Sequence, residues 1–230
     1  MSAYGQFCPV AKAAEVFAER WTPLVIRELL CGSHRFNELR RGVPLMSPTL
    51  LSQRLKTLEM AGIVECRRSE SGVTEYHLTP AGEEFRPVVE MLGMWGQRWA
   101  KKDVRPEDRD PALLVWDIHR RLNVDAFPDK RPVVGFHFPD AVKEKRYRWL
   151  VVNDGNVDVC LADPGYGVDL VVRSSVRAMV DVWMGDRPLS DALRSGAIVL
   201  EGPAKLRRAF PSWLQLSLFA PVARPPARAF

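Results

Sequence analysis

The stretch Ser47-Pro48-Thr49-Leu50-Leu51-Ser52-Gln53-Arg54-Leu55-Lys56-Thr57-Leu58-Glu59-Met60-Ala61-Gly62 has both ends of a helix written into it. Ser47 is a good N-cap, Pro48 suits a first turn in which its missing N–H costs nothing, and Gly62 supplies a left-handed stop. The result is one helix of about four turns. Leu51, Leu55 and Leu58 follow the i, i+4, i+7 spacing and form an apolar stripe. Thr49, Gln53 and Lys56 fall on the opposite side with Ser52 at its edge. Thr, Gln and Ser suit hydrogen bonding to base edges in a major groove, and Lys56 and Arg54 suit phosphate. Taken alone, the segment is better explained as an ordinary amphipathic surface helix; its neighbours change that.

Upstream, Pro9 opens a helix in which Val10, Ala13, Ala14, Phe17 and Ala18 recur at helical spacing. Thr22-Pro23 repeats the cap-plus-proline start for an apolar helix, Leu24 to Leu30, that Gly32 ends. A short polar helix spans Arg35 to Arg41, and Val43-Pro44-Leu45-Met46 turns the chain into the capped helix. Short helix, tight turn and capped second helix follow helix-turn-helix grammar. Beyond Gly62, Ile63 to Arg68 and Val73 to Leu78 predict a hairpin around Ser69-Glu70-Ser71-Gly72. Such a hairpin is a wing, and its Arg67 and Arg68 suit phosphate or minor-groove contact, or merely keep an exposed hairpin soluble. Thr79-Pro80 caps a helix expected to run unbroken to about Lys102. Along it Leu92, Trp95 and Trp99 form a stripe read as a two-fold dimer seam, which would place two recognition helices about one DNA turn apart.

Cys8-Pro9-Val10, Arg20-Trp21-Thr22, Arg35-Phe36-Asn37-Glu38-Leu39, Ser47-Pro48, Arg54-Leu55, Ala61-Gly62-Ile63-Val64, Glu75-Tyr76, Leu78-Thr79-Pro80-Ala81-Gly82 and Trp95-Gly96 occur in this order. In these blocks residues 8 to about 99 resemble the HxlR-type winged helix-turn-helix regulators. The resemblance implies a dimeric transcriptional regulator of double-stranded DNA, with Ser47, Thr49, Ser52, Gln53, Arg54, Lys56, Arg67, Arg68 and Arg35 as its DNA-contacting residues. The wing departs from the family pattern, which has Pro-Pro-Arg before Glu-Tyr where this hairpin has Ser-Gly-Val-Thr. Some family members sense oxidants through the cysteine matching Cys8. Cys8 precedes a helix start, where a thiolate is favoured, although a free cysteine is also often a small buried hydrophobe.

Composition sets the outer bounds. The 230 residues are 47% hydrophobic with net charge +5, which suits two globular domains and permits a polyanionic partner without demanding one. Residues 1 to 100 hold 12 Lys and Arg against 11 Asp and Glu, so DNA affinity there rests on local clustering. Four scattered cysteines without a C-x-x-C pair fit a reduced cytoplasmic setting, and the lack of a signal segment or a long apolar run predicts a soluble protein with no membrane partner.

The charged, proline-bracketed stretch 105–110 reads as a linker between a domain at 1–104 and another at 111–220, with a loose tail at 221–230. The second domain begins with a helix, Ala112 to Leu122. Strands follow at Val133–Phe138, Arg146–Val152, Val157–Leu161 and Val168–Val172, a helix is capped by Ser174 or Ser175, and a short helix spans Leu189–Leu193. A strand at Ile198–Leu200 and a last helix from Pro203 to about Phe219, kinked at Pro211, complete an α+β domain with a five-stranded sheet.

Asp169-Leu170-Val171-Val172-Arg173-Ser174, Val176 to Val182, Gly185-Asp186, Ser195-Gly196 and Ile198 to Gly202 resemble the sterol-carrier-protein-like fold, over roughly 111 to 220. That resemblance implies an apolar tunnel taking a small-molecule effector. Trp116, Phe136, Phe138, Trp149, Met179, Trp183, Phe210 and Trp213 suit either such a pocket or a filled core. The four histidines, His34, His77, His119 and His137, lack metal-ligand spacing, and no nucleophile elbow, P-loop or dinucleotide glycine pattern is present. No enzyme activity, metal or cofactor is therefore expected. The competing function is a lipid or acyl carrier whose winged helix serves protein association.

Overall fold

Most of the element ends are set by local chemistry. The structure, a computed structural model, describes residues 3–100, 105–128 and 131–223, which form two compact units, Met1–Trp95 and Gly96–Phe230. The expected tail lies, from residue 224 on, outside the described residues, as does the expected helix end at 101–102.

In the first unit α1 spans Pro9–Phe17, α2 Thr22–Leu30, α3 Phe36–Gly42 and α4 Pro48–Met60. The wing strands β1 (Val64–Arg68) and β2 (Thr74–Leu78) pair antiparallel from Val64 opposite Leu78 to Arg68 opposite Thr74. Ser47 caps α4 through Leu50 N at 3.2 Å, and Gly62 ends it at φ 71°. Thr22 does not cap α2 as expected: it is the first helical residue, fully buried, and Trp21 stands at the cap with φ 76°. That angle is an outlier for a bulky residue.

The helix expected to be continuous from Thr79 is broken. α5 (Pro80–Glu83) ends, α6 runs Arg86–Trp95, and a π turn, Gly96–Ala100, follows in the second unit. Pro87 explains the break, because its ring crowds the carbonyl four residues back and it has no N–H to continue the ladder. Val25, Ile26, Leu29, Leu39, Leu51, Leu55, Leu58, Ile63 and Val64 form the core of this unit.

In the second unit Arg105 pairs with Asp108 in a 3-10 turn, and Asp110 accepts from Ala112 N at 2.8 Å and Leu113 N at 3.3 Å to cap α7 (Pro111–His119). Five strands follow: β3 (Val133–His137), β4 (Tyr147–Asn153), β5 (Asn156–Cys160), β6 (Leu170–Ser174) and β7 (Ile198–Glu201). Between β6 and β7 stand α8 (Val176–Trp183), capped by Ser175, and α9 (Leu189–Arg194); α10 (Ala204–Trp213) comes last. The sheet order is β5-β4-β3-β6-β7, with β3 and β6 parallel and every other pairing antiparallel. The five-stranded α+β expectation holds. The last helix stops at Trp213, not near Phe219, two residues past Pro211, whose missing N–H leaves the Arg207 carbonyl without its ladder donor.

One face of the sheet packs against α7, α8 and α10. Trp116, Phe136, Phe138, Met179, Trp183, Phe210 and Trp213 all join this core, none more than 6% exposed. Trp149, grouped with them on composition, does not. It pairs with Gly135 in the sheet register and alternates with buried Arg148 and Leu150, so it stands on the opposite face.

Candidate nucleic-acid interface

The first unit presents one helix face and one hairpin in a way that suits a duplex. On α4, Leu51, Leu55 and Leu58 are at most 1% exposed, which fixes the roll of the helix about its axis. Thr49, Ser52, Gln53 and Lys56 consequently face solvent, together with the cap Ser47. Gln53 and Thr57 are further ordered by a hydrogen bond from Thr57 Oγ1 to the Gln53 carbonyl, 2.9 Å.

Arg54 is a correction. It is only 8% exposed and its guanidinium is spent on Glu19, beside the α1–α2 turn. Burial also loosens its hold on its proton relative to a free arginine. It lies next to the leucine stripe, at i+3 from Leu51 and one residue before Leu55, and that position turns it inward. Arg54 therefore braces α4 and does not reach phosphate.

The wing arginines are exposed. Arg67 is 59% exposed and pairs with Glu65 on the same strand, and Arg68 faces solvent beside it. The hairpin tip closes with Ser69 N to Val73 O at 2.9 Å and Gly72 N to Ser69 O at 2.8 Å. The base of the wing is tied to α4 by Thr79, whose hydroxyl donates to Gly62 O at 2.6 Å and accepts from Gly82 N at 3.2 Å.

Arg35 lies where helix-turn-helix and wing meet. Its Nε is 3.4 Å from Glu75 Oε1, and Tyr76 N donates to His34 O at 2.8 Å, so residues 34–35 run alongside β2. His77 Nε2 lies 3.3 Å from the other Glu75 oxygen. His77 first, with Arg35, holds the Glu75 carboxyl below the ordinary carboxylate range. The His34 and His77 rings stack with centroids 4.3 Å apart. The two rings therefore serve a packing role between the helix-turn-helix and the wing.

Sequence reasoning missed Glu28, the buried strut of this unit. Fully buried in the apolar helix α2, it takes Arg27 Nη2 at 2.6 Å and Ser33 Oγ at 3.5 Å, while Arg27 also donates to Gly42 O at 3.0 Å. The signal was available: a carboxylate three residues after Val25 and next to Leu29 sits on a buried face and must be partnered. A Cβ at Gly42 would fall 1.8 Å from the Glu28 carboxylate, so glycine is required where α3 ends.

Of the remaining named residues, Cys8 is half-buried at the cap position of α1, and Leu92 and Trp95 are 49% and 58% exposed on α6. Trp99, 37% exposed, belongs to the second unit. Among the described residues no group of His, Cys, Asp and Glu is arranged to hold a metal ion, and no helix is long and apolar enough to cross a membrane.

Residues 16–104 match the family model of the HxlR-like helix-turn-helix. An uncharacterised HTH-type transcriptional regulator of Bacillus subtilis, YvaP, is 35% identical over 99 residues, 41% of this chain and 90% of its own length. Another, from Mycobacterium tuberculosis, is 34% identical over 117 residues, 46% of this chain and 73% of its own. The crystal structure of PA1607, a putative transcription factor, is 28% identical with a TM-score of 0.42, covering 44% of this chain and 72% of that one. On the match of residues 16–104 and the similarity to the Bacillus subtilis and Mycobacterium tuberculosis regulators, the chain belongs to the HxlR-like helix-turn-helix family.

Proposed function

We propose that the protein is a DNA-binding transcriptional regulator that works as a dimer and reads duplex DNA with α4. The observation that carries this reading is the exposed row Thr49, Ser52, Gln53 and Lys56 on a helix whose opposite stripe is locked into the core. Hydroxyl and amide side chains on a rigid helix discriminate base edges, while Lys56, Arg67 and Arg68 supply sequence-independent phosphate contact. The exposed Leu92 and Trp95 suit burial against a second copy. The second unit is read as sterol-carrier-protein-like, and its apolar interior as the seat of an effector that alters DNA affinity.

A salt-titrated gel shift on the protein's own promoter region, with and without extracted apolar metabolites, tests partner and coupling together. Sequence-dependent binding supports the regulator. Its absence, with lipid co-purifying under native mass spectrometry, favours a carrier whose winged helix serves protein association.

A further inference from the structure

The face of the second unit's sheet opposite the helices carries a feature that the regulator reading does not use. Tyr147, His137 and Arg173 are direct register partners across β4, β3 and β6, so their side chains share that face on one rung. The Tyr147 and His137 rings are parallel within 2° at 4.5 Å, and Trp149 follows Tyr147 at 6.1 Å and 20°. These rings stand side by side. One face of the His137 ring is taken by Tyr147, and Arg173 is the neighbour of His137 on β6.

On the next rung Trp149 has Gly135 opposite it on β3 and Cys160 on β5. A Cβ at Gly135 would come within 3.1 Å of Val168 Cγ1 and 3.7 Å of the Trp149 ring, so glycine lets Val168 close the floor beside the row. Tyr147 is 48% exposed, and the Arg173 side chain is 50% exposed. Arg173 is held by Glu201 at 3.0 Å, but Glu201 is itself 47% exposed, and a pair this wet is readily exchanged for another anion.

We infer that this face binds a small planar aromatic carboxylate, its ring laid against the Tyr147–His137 row and its carboxylate taken by Arg173 in exchange for Glu201. Charge decides the size of the ligand. Asp158 and Glu201 project from the same face, which repels the repeated phosphates of a nucleic acid strand but tolerates one carboxylate placed at Arg173. His137 suits the stacking role because burial, reinforced by the charges of Arg173 and Arg146, lowers its affinity for a proton, which favours the neutral ring. The site is distinct from the apolar interior and does not depend on DNA binding.

The test is calorimetry on the full chain with naphthoate, alongside neutral naphthamide and non-planar cyclohexanecarboxylate. Naphthoate is expected to bind saturably at millimolar concentration or below, and each control roughly tenfold more weakly, the scale of one charge-assisted contact. Arg173→Gln is expected to lose roughly tenfold, and Glu201→Gln to gain a few-fold because the competing carboxylate is gone. Both positions are exposed polar sites, and circular dichroism checks that both variants fold. The proposal is overturned by absence of naphthoate binding, by equal binding of naphthamide, by indifference to Arg173→Gln, or by weaker binding in Glu201→Gln.

Discussion

Arg54→Met separates bracing from reading on α4, the helix proposed to read DNA. In the structure the guanidinium is 8% exposed and paired with Glu19, whose side chain is 45% exposed. Methionine keeps the unbranched stem and its packing, Glu19 rehydrates, and the cost of burying the guanidinium disappears. Replacement of an inward-facing ion pair by an apolar chain is often near neutral, so unfolding free energy is expected to stay within about 1 kcal/mol of wild type. Arg54→Ala also loses the stem and is expected to cost about 1–3 kcal/mol.

Arg54→Met is also expected to leave the salt dependence of DNA affinity unchanged, since a residue that touches no phosphate releases no counterion. Lys56→Met, by contrast, should flatten the slope of log K against log salt by about 0.9 per protomer. Fluorescence anisotropy on promoter DNA across a salt series, with urea unfolding in parallel, measures both quantities. If Arg54→Met flattens the slope as Lys56→Met does, Arg54 leaves Glu19 for phosphate in the complex, and its assignment as a brace is wrong.

Gln53→Ala is expected to lower discrimination between operator and mismatched DNA by about 1–3 kcal/mol while sparing non-specific binding, and uniform loss on all sequences would move the reading face elsewhere. Gly82→Ala would put a Cβ 2.2 Å from the Ile63 carbonyl oxygen and is expected to cost at least about 1–3 kcal/mol in urea unfolding, with a change below about 0.5 kcal/mol showing that the wing base gives way easily. Burial works against ionisation of Asp110, but the Lys145 ammonium and the amides of Ala112 and Leu113 outweigh it, leaving its folded pKa below the ordinary value of 3.8. Such a group contributes stability above its unfolded pKa and loses it as pH falls through the folded one. The deficit of Asp110→Asn against wild type, about 1 kcal/mol at neutral pH, should therefore shrink as pH falls through the lowered folded pKa of Asp110, and a pH-independent deficit would assign it to cap geometry alone.

The elements most legible in the sequence are those whose ends are chemical: Ser47-Pro48 and Gly62 around α4, Thr79-Pro80 before α5, Asp154-Gly155 between β4 and β5. What stayed hidden depended on partners distant in sequence. Arg54 reads as a surface cation until Glu19 is placed beside it, and Glu28 reads as part of an apolar helix until Ser33 and Gly42 close over it. Pro87 is plain in the sequence, but apolar periodicity continues past it and hides the break; Pro211 reads as a kink, while the helix ends two residues beyond it. Trp149 escaped for a different reason. β3 and β4 are rich in large apolar residues on both faces, so alternation carries no sign, and only the register with Gly135 tells outside from inside.

The charge distribution of the first unit then constrains how it holds DNA. Arg27, Arg35, Arg54, Arg67, Arg86 and Lys12 each have a carboxylate partner on their own unit. Two kinds of pair are mixed here. Glu28 is fully buried and Arg54 nearly so, and breaking either pair strands a desolvated charge, so neither Arg27 nor Arg54 is available to phosphate. Arg67 with Glu65 lies in water, where such a pair is worth about 0–1 kcal/mol, less than the gain on meeting the backbone of a duplex. On the proposed function the wing would bind by exchange, with Arg67 releasing Glu65 as it takes phosphate. Because Glu65 remains close to the phosphate it displaced, Glu65→Gln should strengthen binding to all sequences alike, and anisotropy on operator and random DNA measures it. An unchanged affinity on both would show that the wing stays clear of the backbone, leaving α4 to supply the contact alone.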